Sequence, residues 1–142
     1  MTTIAYKDGV IAYDSRCMSS ETIVSDTHNK HAVENGVHFF FSGNICDQKH
    51  LVDLYFKRDI DVPLDHVECN AFSAHSGKVY KLGVCKRTGI WRSEVIYPEA
   101  LGSGTDHALT AMDMGATAKE AVKMAAKRDS GTGGRIRTFK VK

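Results

Sequence analysis

The sequence lacks long apolar runs. None approaches the roughly 20 residues that a membrane-spanning helix requires, and the first residues show no charged and then apolar segment of the kind that directs secretion. The four cysteines, at positions 17, 46, 69 and 85, have no C-x-x-C spacing. The sequence therefore predicts a soluble, cytoplasmic protein with reduced thiols and without a membrane partner.

A strong charge of one sign is absent as well. Lys and Arg number 19 against 17 for Asp and Glu, for a formal net charge of +2, which provides no general field for a polyanion. His28 and His31 have no acidic or cysteine partner at a recognised metal-ligand spacing, so they are predicted to be surface or loop residues rather than zinc ligands. We predict no nucleic-acid partner, no metal and no other cofactor.

What the chain does contain is enough apolar material for one core. Its 142 residues are 42% hydrophobic, which suffices for one buried core and is too little for two. Residues 1–142 are therefore predicted to form a single domain.

The first sixteen residues are typical of a β-hairpin. Two short apolar runs flank Asp8-Gly9, a dipeptide that tolerates positive φ at both turn positions of a tight hairpin. A hairpin here brings Thr2 close to Asp14 at its open end. A hydroxyl that can become N-terminal would then lie beside a carboxylate, which indicates a nucleophile site.

Strands and helices alternate along the rest of the chain. A continuous apolar run at 37–42 predicts a strand covered on both faces, followed by a helix that starts at 44–47 and stops before 59. A second hairpin is predicted with strands at 68–74 and 78–83, and a further strand at 89–97.

The last third of the sequence indicates two helices and a strand. One helix is predicted over 106–114 with Gly115 as its terminator. A second begins at a capping box, Thr117-Ala118-Lys119-Glu120, and a strand closes the chain at 135–142. This element order predicts an α+β fold, a four-layer αββα sandwich of two mainly antiparallel sheets.

Six short motifs occur along this chain in a fixed order. They are Thr2-Thr3-Ile4, Ile11-Ala12-Tyr13-Asp14, Lys30, Ser42-Gly43-x-x-x-Asp47, Gly102-Ser103-Gly104 and Asp129-x-x-Thr132-Gly133-Gly134. Their order and spacing resemble those of N-terminal nucleophile (Ntn) hydrolases of the proteasome β-subunit type. The front of the chain is most similar to the bacterial proteasome-like peptidase subunit of an ATP-dependent protease, and the back to a true proteasome β subunit.

The chemistry of an N-terminal threonine is consistent with this resemblance. A threonine hydroxyl is a poor nucleophile at neutral pH, but the same residue's free α-amine titrates near pH 8 and can act as its base. Thr2 is N-terminal only after removal of Met1, and methionine aminopeptidases generally require a small second residue such as threonine.

The resemblance also implies roles for further residues. Lys30 would lower the pKa of the Thr2 hydroxyl through its charge, Asp14 would pair with Lys30, and a backbone N–H at Gly43 would hold the oxyanion. Residues around the N-terminal amine would form a supporting shell: Ser103, Asp129 and Thr132.

The resemblance thus implies a threonine endopeptidase that hydrolyses polypeptides as a homo-oligomeric ring, with an ATP-dependent unfoldase as a possible partner. The family usually carries a second long helix where this chain has the linker 59–66, so ring size and partner stay open. Phe39-Phe40-Phe41 replaces the smaller residues common before the Gly43 position and is predicted to fill the core rather than narrow a cleft. Two alternatives remain: an Ntn amidohydrolase for small amides, and a catalytically silent structural or regulatory subunit.

Overall fold

The structure is a computed structural model and describes residues 2–142. The prediction that concerns Met1 lies outside these residues. In chain order the strands are β1 (Ile4–Lys7), β2 (Val10–Tyr13), β3 (Cys17–Ser19), β4 (Thr22–Ser25), β5 (His31–Glu34), β6 (Val37–Gly43), β7 (Cys69–His75), β8 (Lys78–Cys85), β9 (Gly89–Glu94), β10 (Glu99–Leu101) and β11 (Arg137–Lys140). The α-helices are α1 (Gln48–Tyr55), α2 (Thr105–Asp113) and α3 (Ala118–Arg128).

The strands form two main antiparallel sheets. One has four strands in the order β10-β1-β2-β11, and the other has five in the order β5-β6-β7-β8-β9. A separate two-stranded ribbon pairs β3 with β4. These pairings confirm the prediction of an α+β fold with mainly antiparallel sheets.

The opening hairpin forms as predicted. Asp8 and Gly9 have φ values of 50° and 77°, the left-handed conformation that a two-residue hairpin turn needs at both positions. Ile4 of β1 is in register with Tyr13 of β2, so the residues just outside the hairpin's open end lie side by side.

Alternation along β1 and β2 gives the four-stranded sheet two buried faces. Ile4, Ile11 and Tyr13 pack with Phe40 and other residues of the five-stranded sheet. The residues between them are small, and they pack against α2 and α3. Because alternate side chains of a strand point to opposite faces, the second sheet and this helix pair cover opposite sides.

The run Phe39-Phe40-Phe41 is divided between two apolar clusters. Phe40 packs with the four-stranded sheet, whereas Phe39 and Phe41 pack with Leu51 of α1. All three rings are at most 3% exposed. They therefore fill apolar layers on both sides of β6, although Phe41 also reaches the wall of a cleft described below.

The two C-terminal helices form with the predicted signals. The hydroxyl of Thr117 accepts a hydrogen bond from the Glu120 N–H, and the Glu120 carboxylate accepts one from the Thr117 N–H. Gly115 follows α2 with a φ of 103°. The buried face of α3 consists of Ala118, Ala121, Val122 and Ala125.

Several boundaries differ from the predictions. Strands β3, β5 and β10 were not predicted, because each is only three or four residues long and too short for a clear alternation. The helix predicted to start at 44–47 begins there as a short 3-10 turn, Ile45–Asp47, and becomes α-helical at Gln48. The last strand spans Arg137–Lys140 rather than 135–142.

The linker 59–66 contains one short 3-10 turn, Leu64–His66, and no α-helix. None of the helices within residues 2–142 is long and apolar enough to cross a membrane.

Candidate active site

The hairpin brings Thr2 and Asp14 together. The Thr3 N–H donates to Asp14 Oδ1 at 3.2 Å, and the Asp14 N–H donates to the Thr3 carbonyl at 3.2 Å. Thr2 and Asp14 are 4% and 0% exposed. The predicted proximity of Thr2 to Asp14 is therefore present through the neighbouring Thr3, and both residues are almost fully buried.

Lys30 lies between these two residues. Its Nζ donates to Thr2 Oγ1 at 2.8 Å and to Asp14 Oδ1 at 2.7 Å. Burial lowers the pKa of Lys30 from its usual value, and the charge and hydrogen bond of Asp14 oppose that effect in part. A single ammonium thus contacts both the hydroxyl and the carboxylate.

Asp14 is saturated with donors. Besides Lys30 and the Thr3 N–H on Oδ1, its Oδ2 accepts from the Gly133 N–H at 3.0 Å and the Arg16 N–H at 3.3 Å. A buried carboxylate needs such partners, because an uncompensated charge in the interior is costly. These contacts fix the carboxylate and, through it, the position of the lysine.

A second cluster of polar side chains lies around the backbone nitrogen of Thr2. The Thr2 N–H donates to Ser103 Oγ at 3.2 Å, and Ser103 Oγ donates to Asp129 Oδ2 at 2.5 Å. Thr132 Oγ1 donates to the same carboxylate oxygen at 2.6 Å. Burial favours the neutral form of Asp129, but these hydrogen bonds and one from the Gly131 N–H outweigh it and lower the pKa.

Gly43 ends β6 beside the same site. Its φ is 112°, and a Cβ there would overlap the Glu68 carbonyl and Cys69 Cα, so the position requires glycine. Thr2, Lys30 and Gly43 all line one cleft of about 310 Å³. The structure thus brings all seven predicted site residues to the same region: Thr2, Asp14, Lys30, Gly43, Ser103, Asp129 and Thr132.

Arg16 is a structural part of this region that the sequence did not reveal. Its Nε donates to Asp26 Oδ1 at 2.9 Å, and its Nη1 donates to the Ser130 carbonyl at 3.0 Å. The guanidinium covers Gly133, where a Cβ would overlap it. Arg16 therefore holds the 129–134 turn against the end of β2, and no spacing rule connects it to Asp26.

His28 lies in a loop, as predicted, whereas His31 is the first residue of β5 and is partly buried, so its prediction as a surface or loop residue is wrong. His28 lines the cleft, whereas the His31 ring stacks on Phe40 and its Nε2 lies 2.9 Å from His38 Nδ1. Among residues 2–142, no group of three or more His, Cys, Asp or Glu side chains is arranged to hold a metal ion.

Gly102 limits what can stand next to Thr2. It has a φ of 97°, and a Cβ at this position would overlap the carbonyl group of Thr2. We expect Gly102→Ala to lower the melting temperature and displace Thr2, because it combines a left-handed backbone, about 1–2 kcal/mol for alanine, with a collision against backbone that cannot rotate away.

Gly115→Ala is the matched control for this substitution. Gly115 has a similar φ of 103° and open space around its would-be Cβ. Thermal unfolding of both variants should show a clearly larger loss for Gly102→Ala. Equal losses would mean that contact with Thr2 is unimportant and that only backbone strain acts.

Comparison with known proteins supports this view of the fold. No family model and no curated protein matches the chain. Among solved structures, Thiobacillus denitrificans BPH matches with 20% identity and a TM-score of 0.71, covering 97% of this chain and 95% of that one. The same protein in complex with epoxomicin matches with 19% identity and a TM-score of 0.69, covering 97% and 96%.

Eukaryotic HslV from Trypanosoma brucei matches with 14% identity and a TM-score of 0.72, covering 99% of this chain and 98% of that one. The chain thus has the fold of HslV and proteasome-like peptidase subunits along nearly its whole length. The resemblance indicated by the sequence is confirmed at the level of the fold.

Proposed function

We propose that this protein is an N-terminal threonine endopeptidase whose nucleophile is Thr2 after removal of Met1. The observation that carries the proposal is the contact of one buried ammonium, that of Lys30, with both Thr2 Oγ1 at 2.8 Å and Asp14 Oδ1 at 2.7 Å. Removing an ammonium group from water costs free energy, and a lysine on the surface would avoid that cost.

The first chemical step is attack on the peptide carbonyl. In the Met1-free chain the α-amine of Thr2 accepts the proton of Oγ1 as Oγ1 bonds to the carbonyl carbon. The positive charge of Lys30 favours the alkoxide that develops at Oγ1. The Gly43 N–H donates to the oxyanion of the tetrahedral intermediate, which is where preorganised donors contribute most.

Collapse of the intermediate completes acyl transfer. The C–N bond breaks, the departing amine takes the proton from the Thr2 ammonium, and the acyl group stays on Oγ1 as an ester. Water then attacks the ester carbonyl carbon while the α-amine takes its proton; the ester C–O bond breaks, the carboxylic acid leaves, and Oγ1 regains a proton from the ammonium. Ser103, Asp129 and Thr132 orient the amine through the hydrogen bonds that surround the Thr2 nitrogen.

The proposal extends to the setting of the enzyme. We propose a single domain in which the three apolar clusters are the interfaces of a four-layer αββα sandwich. We further propose a cytoplasmic homo-oligomeric ring with polypeptide substrates, and an ATP-dependent unfoldase as its partner. Because the linker 59–66 has no α-helix, the face of the protein that carries this linker offers less surface on which an unfoldase could dock.

Release of the N-terminus tests the proposal. The chain is made as a fusion whose N-terminal extension is removed by a specific protease to leave Thr2 first, and one preparation is assayed with fluorogenic peptides before and after release. Activity is expected only after release, because the amide nitrogen of an extended chain cannot accept a proton.

The other outcomes identify the alternatives. Equal hydrolysis before and after release would contradict a catalytic role for the Thr2 amine. Hydrolysis of small amides without peptide hydrolysis would indicate an amidohydrolase, and a released, folded chain inactive on both would be a silent subunit. Native mass spectrometry of the released protein tests the ring directly.

A further inference from the structure

The cleft beside Thr2 has an uneven charge distribution. Three basic side chains line it, Arg16, His28 and Lys30, together with the amides of Asn44 and Gln48. No carboxylate occurs among the described residues that form its lining. A substrate side chain that enters this cleft therefore meets basic groups and hydrogen-bond donors, and no acidic partner for a cation.

Two of the three basic groups are already neutralised. Lys30 pairs with Asp14 at 2.7 Å, and Arg16 pairs with Asp26 at 2.9 Å. His28 lines the same cleft, and among the described residues no carboxylate forms an ion pair with it.

We propose that this cleft selects substrates with a carboxylate side chain next to the scissile bond, and that His28 is the residue that determines this specificity. The inference rests on the proposed peptidase function and specifies its substrate class. The apolar part of the wall, which includes Met18, Phe41 and Ile45, contacts the methylene groups of such a side chain.

His28 responds to a carboxylate because of its charged surroundings. Burial lowers the pKa of His28, and the charges of Lys30 and Arg137 lower it further while Asp14 opposes them. The charged or titratable groups around it come from several elements: Lys30 on its own loop, Asp14 after β2, Arg137 on β11, and Arg16 and Cys17, which line the same cleft.

Binding of an acidic side chain should therefore add a proton to His28. In the free protein the lowered pKa keeps the imidazole neutral near pH 7, whereas a carboxylate in the cleft favours the charged form and raises that pKa. By linkage, the preference for an acidic over an isosteric neutral side chain grows as the pH falls toward and through the pKa of His28.

Three peptides that differ at one position test the inference. They carry Glu, Gln or Lys on the N-terminal side of the scissile bond, and kcat/KM is measured for the Met1-free protein between pH 8 and pH 6. The expected order is Glu, then Gln, then Lys. The Glu-to-Gln ratio should rise on acidification, by up to about tenfold if the bound carboxylate raises the pKa of His28 by one unit.

The Glu-to-Gln ratio of kcat/KM separates the effect of His28 on substrate selection from the protonation of other groups in the enzyme. Protonation of the Thr2 amine affects both peptides equally and cancels. In His28→Gln the ratio should become independent of pH, while His107→Gln, an exposed position on α2, should behave like the wild type.

The possible results distinguish a failure of the proposed peptidase function from a failure of the proposed substrate specificity. No hydrolysis of any of the peptides by the wild type would overturn the proposed function and this inference with it. Hydrolysis with a flat Glu-to-Gln ratio, or with Lys preferred, would overturn the inference and leave the peptidase intact. If His28→Gln does not fold, the pH dependence of the wild-type ratio decides the question by itself.

Discussion

Replacing Thr2 with alanine in the Met1-free protein should abolish peptide hydrolysis, with kcat/KM lowered by at least about 10³-fold, as expected for loss of a covalent nucleophile. The variant keeps the α-amine, Lys30 and the cleft, but it has no oxygen to attack the carbonyl. Hydrolysis of a fluorogenic peptide measures the loss, and circular dichroism checks that the fold is retained.

Two further variants make this result specific. Thr2→Ser keeps a hydroxyl at the same atom and should retain measurable activity. Thr110→Ala removes a threonine hydroxyl from an exposed position on α2 and should match the wild type. Wild-type hydrolysis by Thr2→Ala would identify another nucleophile and reject the proposed mechanism.

Replacing Lys30 with methionine should impair both catalysis and stability. The substitution leaves Asp14, which is 0% exposed, without its counter-ion, and breaking a buried pair in this way costs about 3–5 kcal/mol. Loss of the ammonium next to Thr2 Oγ1 should also lower kcat by roughly 10²- to 10⁴-fold, the range for a positioned proton-transfer or charge-stabilising group. Chemical denaturation and peptide hydrolysis measure the two effects.

A double variant separates these effects. Lys30→Met combined with Asp14→Asn removes the buried charge together with its partner and should recover part of the stability without recovering activity. Lys49→Met, which removes an 84%-exposed lysine from a surface pair with Asp53, should change stability by no more than about 1 kcal/mol. Wild-type activity in Lys30→Met would contradict the proposed role of the ammonium.

Local chemistry explains which parts of the fold were predictable. The Asp8-Gly9 turn and the Thr117–Glu120 capping box depend on neighbouring residues alone, and both formed as predicted. Strand β10 depends on pairing with β1, which is almost a hundred residues away in sequence. A three-residue segment carries too little pattern to reveal such a partner.

The same distinction applies to the candidate site. The predicted hairpin by itself placed Thr2 near Asp14. The contacts of Lys30, Ser103 and Asp129 were expected only because of the resemblance to a family. Arg16 was missed, because its contacts with Asp26 and the Ser130 carbonyl exist only in the folded chain. Ion pairs of this kind have no signature in sequence spacing.

In the β3–β4 ribbon, the sequence indicates a short β-prone run at 22–25, where β4 forms, but it does not predict β3 or its place beside the cleft. Cys17 and Met18 of β3 form part of the cleft wall, yet a three-residue strand is too short to show an alternation in the sequence. This wall of the cleft therefore became visible only in the structure, and the charge distribution around His28 with it.

The most direct test of the proposed mechanism is the location of the acyl group during turnover. The Met1-free protein is mixed with an activated peptide ester, quenched in acid within milliseconds to seconds, digested and mapped by mass spectrometry. The acyl mass is expected on the N-terminal fragment that begins at Thr2, and it should be absent from Thr2→Ala and from the chain that retains Met1. Acylation of another residue, or equal labelling of all three proteins, would contradict an N-terminal threonine nucleophile.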